Sequence, residues 1–207
     1  LAFFMRRRKL LSVSSAIRMV WCLSFSESGF TNLLCIFVRV KRGIMKEKIN
    51  KTNAVRLLDK AKITYELIPY EVDEHDLAAA HVAAQLGENI EQVFKTLVLH
   101  GDRNGYFVCV IPGNHEVDLK LAAKASGNKK ADLIPMKELL PVTGYIRGGC
   151  SPVGMKKVFP TFIHDSCLQF EYIFISAGVR GLQIRLNPGD LIKYVGATVC
   201  PLSNENL

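Results

Sequence analysis

Lys95 stands in the middle of Val93-Phe94-Lys95-Thr96-Leu97-Val98-Leu99-His100, a run otherwise apolar enough to be a buried strand. An ammonium there is costly unless it is paired or opens onto a pocket. Two readings are open. Alternation can turn Lys95 to the solvent face of a half-buried strand, or a desolvated lysine can act as a Schiff-base nucleophile or anchor an anionic or carbonyl group. The second suggestive stretch is residues 143–154, T-G-Y-I-R-G-G-C-S-P-V-G, with four glycines and one proline around an expected short strand, Tyr145-Ile146-Arg147. Gly148, Gly149 and Gly154 bracket Ser151-Pro152. Such a loop either presents backbone N–H groups and one hydroxyl to a ligand, as anion-binding nests do, or is an ordinary tight turn. No histidine–acid pair stands near Ser151, so a serine triad has little support. Tyr70, beside Pro69, reads equally as core or as pocket wall, and Cys109 and Cys150 read as small core residues rather than nucleophiles.

The elements that must position these residues follow from periodicity and caps. Thr52 or Asn53 caps a helix with Ala54, Val55, Leu57, Leu58 and Ala61 on one face. Residues 63–70 alternate as a strand. Asp76 is placed to cap an alanine-rich helix, 77–86, stopped by Gly87. The Lys95 strand, 93–100, turns at 101–105 into a second strand, 106–112. Asp118 caps a helix over 119–126 ended by Gly127, and Pro135 precedes a short helix, 136–140. Residues 159–163 lead to a strand over 171–176, a glycine turn at 177–181, a strand over 182–187 and a last helix from Pro188 to its stop at Gly196. Helices and strands alternate irregularly with at least two hairpins. The expected fold class is α/β, a mixed, largely antiparallel sheet or partly closed barrel decorated with helices. No G-x-G-x-x-G, Walker or G-x-S-x-G template is present.

The chain has 207 residues and a formal charge of +8. Residues 1–44 carry eight basic side chains against Glu27 alone, a net of +7, which leaves +1 for residues 45–207. The main domain, expected over 45–207, is therefore near neutral, and the overall charge is no evidence for a nucleic-acid partner. Residues 1–44 read as an upstream extension, with Met45 as a natural start. Their apolar runs are interrupted by serines, Arg18 and Glu27, a weak case for a signal or membrane segment. Six cysteines without a C-x-x-C pair suit reduced thiols in the cytosol, and the five histidines have no metal spacing.

Several separated motifs, in order, carry a resemblance. They are Tyr70-Glu71, Phe94-Lys95-Thr96-Leu97, Gly144-Tyr145, the run from Gly148-Gly149-Cys150-Ser151 to Lys157, and Ser176-Ala177-Gly178-Val179-Arg180-Gly181-Leu182. From about Asn53 to Ala197 the chain resembles the YbaK/EbsC family, in particular its Cys-tRNA(Pro)/Cys-tRNA(Cys) deacylases, free-standing relatives of the editing domain of bacterial prolyl-tRNA synthetases. The resemblance implies a mixed α/β fold with a barrel-like sheet, and hydrolysis of the ester joining cysteine to tRNA(Pro) with no cofactor and no metal. It implies that Lys95 is the key lysine, that Tyr70 and Thr96 line its pocket, that Gly148, Gly149, Ser151 and Pro152 cradle the ester, and that Ser176, Gly178 and Gly181 form the neighbouring loop. It further implies that the substrate's own thiol attacks the ester; the near-neutral charge of residues 45–207 predicts weak tRNA binding alone and hence a complex with prolyl-tRNA synthetase, and the protein is expected to be cytoplasmic. Two positions depart from some relatives, Gln183 in place of an aspartate and Ala78 near an aromatic site, so neither role carries over. A non-catalytic tRNA- or synthetase-binding module, and a deacylase for alanine or serine, are the alternatives.

Overall fold

The structure, a computed structural model, describes residues 51–73 and 79–203. The extension 1–44, the start at Met45, the cap at Asp76 and position 78 lie outside the described residues. Five helices are described: α1 Asn53–Lys60, α2 Ala79–Leu86, α3 Leu119–Ala125, α4 Met136–Thr143 and α5 Pro188–Val195. The strands are β1 Tyr65–Pro69, β2 Phe94–Gly101, β3 Gly105–Pro112, β4 Ala131–Leu133, β5 Thr161–His164, β6 Ile173–Ser176, β7 Leu182–Leu186 and β8 Thr198–Cys200.

Local chemistry explains the helix ends. Thr52 accepts from the Val55 N–H at 3.3 Å and Asp118 from those of Lys120 and Leu121, so both helices start on the expected caps. In α5, Asn187 is the cap, Pro188 takes the first turn, and Gly196 closes the helix at φ 64°. Helix α4 runs three residues beyond its expected end, through Pro141, to a left-handed cap at Gly144.

The strands form one sheet ordered β1-β7-β6, wholly antiparallel, and one ordered β4-β2-β3-β5-β8, in which β5 lies parallel to both β3 and β8. The mixed, largely antiparallel arrangement expected from the sequence is thus present. The two sheets join where Val93 bridges Phe174, which lets β6 continue onto the edge of β2. One expected strand is absent: Tyr145-Ile146-Arg147 leads into a turn, closed by the Gly149 N–H donating to the Ile146 carbonyl at 3.0 Å, with Gly148 at φ 80° in its third position. A positive φ at that position makes a turn of a segment whose side chains alone suit a strand.

Strand β3 shows why the core sits on both sides of the larger sheet. Phe107, Cys109 and Ile111 point to one cluster, closed by Ala122 and Ala123 of α3 and by Leu202. Val108 and Val110 point to the other, with Ile175 and Ile184 from the smaller sheet and Ala54, Val55 and Leu58 of α1. A strand apolar on both faces is what such a two-sided burial requires.

The chain beyond β8 is tied down by a polar chain. The Ser203 hydroxyl lies 2.9 Å from His164 Nε2 and 2.7 Å from His115 Nδ1, with His164 and Ser203 both buried. The Ser166 N–H donates to His164 Nδ1, so the His164 Nε2–H donates to Ser203, and Ser203 in turn donates to His115. Ser203→Ala removes the hydroxyl that links the two imidazoles and is expected to cost about 1–3 kcal/mol in urea denaturation. A loss below about 0.5 kcal/mol, the range of neutral surface changes, would contradict this assignment.

Candidate functional site

The join between the sheets leaves an opening. On the edge of β2 away from β3, β6 is met only at Val93 and β4 only from Leu99 onward. Among the described residues no strand pairs with Lys95, Thr96 or Leu97 on that edge. A cavity of about 410 Å³ occupies the gap, with these three residues along one wall. Unpaired strand edges are where backbone groups remain to be satisfied by a ligand or partner.

Lys95 is half-buried and its ammonium donates to the Gly113 carbonyl at 3.0 Å. Burial lowers its pKa from the ordinary lysine value, and the Glu116 carboxylate partly opposes this. An ammonium has three donors, so two remain for a ligand in the cavity. Gly113 is the residue that makes this possible and that sequence reasoning missed. A Cβ there would lie 2.4 Å from the Ala79 Cβ and 3.0 Å from the Val93 carbonyl oxygen, so only glycine lets α2 pack down over the Lys95 acceptor. The Pro112-Gly113 pair at the end of β3 is the signal that pointed to it.

Of the other candidates, Tyr70, Thr96, Gly148 and Ser176 line the same cavity. Gly149, Ser151, Pro152, Gly178 and Gly181 do not line it; they shape the loops that do. Ser151 is fully buried and its hydroxyl accepts from the Val153 N–H at 3.3 Å. A Cβ on Gly149 would lie 3.2–3.3 Å from the backbone of Val179 and Arg180, a tight contact, so the two glycine loops pack backbone to backbone. Gly181, at φ 83°, accepts from the Tyr70 N–H at 3.0 Å and so seats that side chain. Both loops are fastened to the start of α1: Asn53 donates to the Gly154 carbonyl at 3.2 Å and the Thr52 hydroxyl to the Ala177 carbonyl at 2.6 Å. Tyr145 completes the brace by donating to the Val153 carbonyl at 2.6 Å.

Among the described residues of the cavity wall, the thiol is Cys150 and the side chains able to take a proton are Asp73 and His81. Burial pushes the Cys150 thiol up to about 12, so it stays protonated in the cavity wall, as expected of a core residue. His81 also lines the cavity, a residue not singled out in the sequence. The Gln85 carbonyl oxygen takes the Glu71 N–H at 2.8 Å, so its amide donates to His81 Nε2 at 2.7 Å and occupies that lone pair. Arg147 stands exposed at the same wall, its carbonyl held by Arg180 Nε at 2.9 Å. What the arrangement offers is a cation, a strand edge, two rigid glycine loops and a wall of polar groups: a site that grips and orients.

The family model of the aminoacyl-tRNA editing domain matches residues 73–194. The chain is 49% identical over 160 residues, 77% of its own length and 98% of the relative's, to a protein of Enterococcus faecalis named "Putative Cys-tRNA(Pro)/Cys-tRNA(Cys) deacylase EbsC". It is 24% identical over 123 residues to a proline–tRNA ligase of Thermosipho melanesiensis, of which the match covers 21%, and 56% of this chain. In fold it is similar to a solved structure described as "a putative trans-editing enzyme for prolyl tRNA synthetase", with TM-score 0.64 and 22% identity over 73% of this chain and 97% of that one.

Proposed function

The chain belongs to the aminoacyl-tRNA editing domain family, and from that premise we propose that it is a trans-editing hydrolase that removes mischarged cysteine from tRNA(Pro). The observation that carries this reading is the half-buried Lys95 ammonium in a cavity whose own thiol, Cys150, is held protonated by burial. A site of that kind suits a substrate that brings its own nucleophile. The cysteine sulfur attacks its ester carbonyl, the C–S bond forms as the ester C–O bond breaks, and the proton leaves with the ribose oxygen. Water then opens the resulting cyclic thioester. The protein's part is to hold the acyl group so that the sulfur reaches the carbonyl, and such orientation can supply several kcal/mol. Lys95 holds the tRNA end, Tyr70, Thr96, Gly148 and Ser176 wall the aminoacyl group, and Gly149, Ser151, Pro152, Gly178 and Gly181 keep that wall rigid.

The editing domain occupies residues 45–207 and carries a net charge of only +1, which supports weak tRNA affinity on its own. Its partner is therefore prolyl-tRNA synthetase, in the cytoplasm, which presents the tRNA. The full chain is mixed with Cys-, Ala- and Pro-tRNA(Pro), with and without the synthetase, and loss of the aminoacyl group is followed. Selective loss of cysteine, faster with the synthetase, is the expected result. Tight, salt-insensitive tRNA binding without the synthetase contradicts the partner assignment, and no hydrolysis in any mixture contradicts the activity.

A further inference from the structure

We infer that His115 is a positioning residue for Lys95: clasped by the Ser203 hydroxyl, it fixes the turn whose central peptide presents the carbonyl that holds the Lys95 ammonium. The inference rests on the editing reading, in which Lys95 grips the tRNA end. Strand β3 ends at Pro112, and the chain crosses to α3 through residues 113–118. Gly113 donates its N–H to the Val93 carbonyl at 2.7 Å, and its own carbonyl accepts from Lys95 at 3.0 Å. The His115 N–H donates back to the Pro112 carbonyl at 3.1 Å, which closes a four-residue turn with Gly113 and Asn114 at its centre. The two common turn types differ by a rotation of that central peptide, and with it of the Gly113 carbonyl. Asn114 does not take the positive φ of the second type. Glycine followed by asparagine tolerates either, so these two residues alone do not fix where the Lys95 acceptor points.

What holds the outgoing end of the turn lies after β8. The Ser203 hydroxyl, 2.7 Å from His115 Nδ1, receives the His164 Nε2–H and so turns its own proton to His115. The His164 ring stands edge-on to the His115 ring, with centroids 5.3 Å apart. The Asp118 N–H donates to the Leu202 carbonyl at 2.8 Å, so two consecutive residues fasten both ends of the segment 115–118. Tethering the chain does not itself call for a polar link, because Leu202 is already fully buried in the apolar cluster beside α3. A satisfied polar network adds a fixed geometry that apolar packing lacks. Glu116 lies on the same segment, and its carboxylate favours the charged form of Lys95 against burial. The segment thus brings Lys95 both an acceptor and an opposing charge, and Ser203 sets its place through His115.

The test is single-turnover cleavage of Cys-tRNA(Pro) by the full chain over a range of protein concentrations, below the melting temperature of every variant compared. Wild type, His115→Ala, His115→Asn and Ser203→Ala are measured, each with and without Lys95→Ala. His115→Asn places a carboxamide oxygen where Nδ1 stands and so keeps an acceptor for Ser203. His115→Ala and Ser203→Ala are expected to lower the saturating rate roughly tenfold, within the hundredfold that a misplacement of about 1 Å can cost. The half-saturating protein concentration is expected to change by less than about twofold, because the positioned ammonium acts on the rate, and His115→Asn recovers most of that rate. Without Lys95 there is no ammonium to position, so the further loss from either alanine variant shrinks to less than about twofold. The same tenfold loss with and without Lys95 overturns the inference in favour of a general structural role. A His115→Asn protein no faster than His115→Ala overturns it too, as do wild-type rates in His115→Ala or Ser203→Ala. Should His115→Ala not fold, Ser203→Ala and His115→Asn decide the point by the same comparison. All these outcomes leave the editing reading standing; an inactive wild type overturns that reading itself.

Discussion

Replacing Lys95 by alanine is expected to slow ester cleavage by about 10²–10³-fold, the loss seen when one preorganised donor to a reacting group is removed. The fold is expected to survive it. The Lys95 ammonium is partly desolvated and, among the described residues, holds the Gly113 carbonyl, so truncation removes a buried charge together with its cost. The pH dependence separates the two effects by sign. Folding lowers the Lys95 pKa below its ordinary value of 10.5, so between the folded and unfolded values the unfolded chain binds more protons. Stability contributed through Lys95 therefore rises with pH across that window, while activity that needs the ammonium falls. An alkaline loss of kcat/KM beginning below the ordinary lysine range is expected, together with a Lys95→Ala protein that melts no lower than wild type. Lys95→Arg is not expected to restore the rate, because a planar fork does not replace a compact ammonium at a single carbonyl. Full activity in Lys95→Ala would remove the residue from the mechanism.

Gly178→Ala is expected to have the largest structural effect in the site, about 2–3 kcal/mol of stability and most of the activity. Gly178 sits at φ 92°, and a Cβ there would lie 2.8 Å from the ring of Tyr145. That ring is buried and bonded to Val153, so it cannot step aside without loosening the loop that carries Gly148. Gly105→Ala is the control: φ is 70°, but nothing lies within 4 Å of the added carbon, so only the backbone cost of about 1 kcal/mol is expected and activity is kept. Chemical denaturation of the two variants decides the point. Equal losses at Gly178 and Gly105 would mean that the contact with Tyr145 does not matter.

Where local signals were strong, the sequence was a good guide. The Thr52 cap, the β2–β3 hairpin and the Pro188 and Gly196 limits of α5 all rest on interactions between near neighbours. The mixed fold was legible for the same reason. The three-residue strands β4 and β8 were missed because they are too short to show a period, and β8 exists through its parallel pairing with distant β5. The Tyr145–Arg147 segment was misread because its side chains suit a strand, whereas the positive φ of Gly148 turns it. Within the site, Lys95 stood out as a charge in an apolar run, and the residue types in the glycine loops announced close backbone approach. Sequence did not separate residues that face the cavity from those that brace it. Ser151 reads as an exposed donor, yet its hydroxyl closes its own loop. Nor did it show that Gln183 would be buried beside the cavity, which depends on the register of β7 between β1 and β6.

In the proposed mechanism the protein orients a substrate that supplies its own nucleophile. Single-turnover hydrolysis of Cys-tRNA(Pro) and Ser-tRNA(Pro) by the full chain, at saturating protein, tests it most directly, because the two esters differ in one atom. The cysteinyl ester is expected to be cleaved at least about a hundredfold faster. Equal rates would place the nucleophile elsewhere and contradict it.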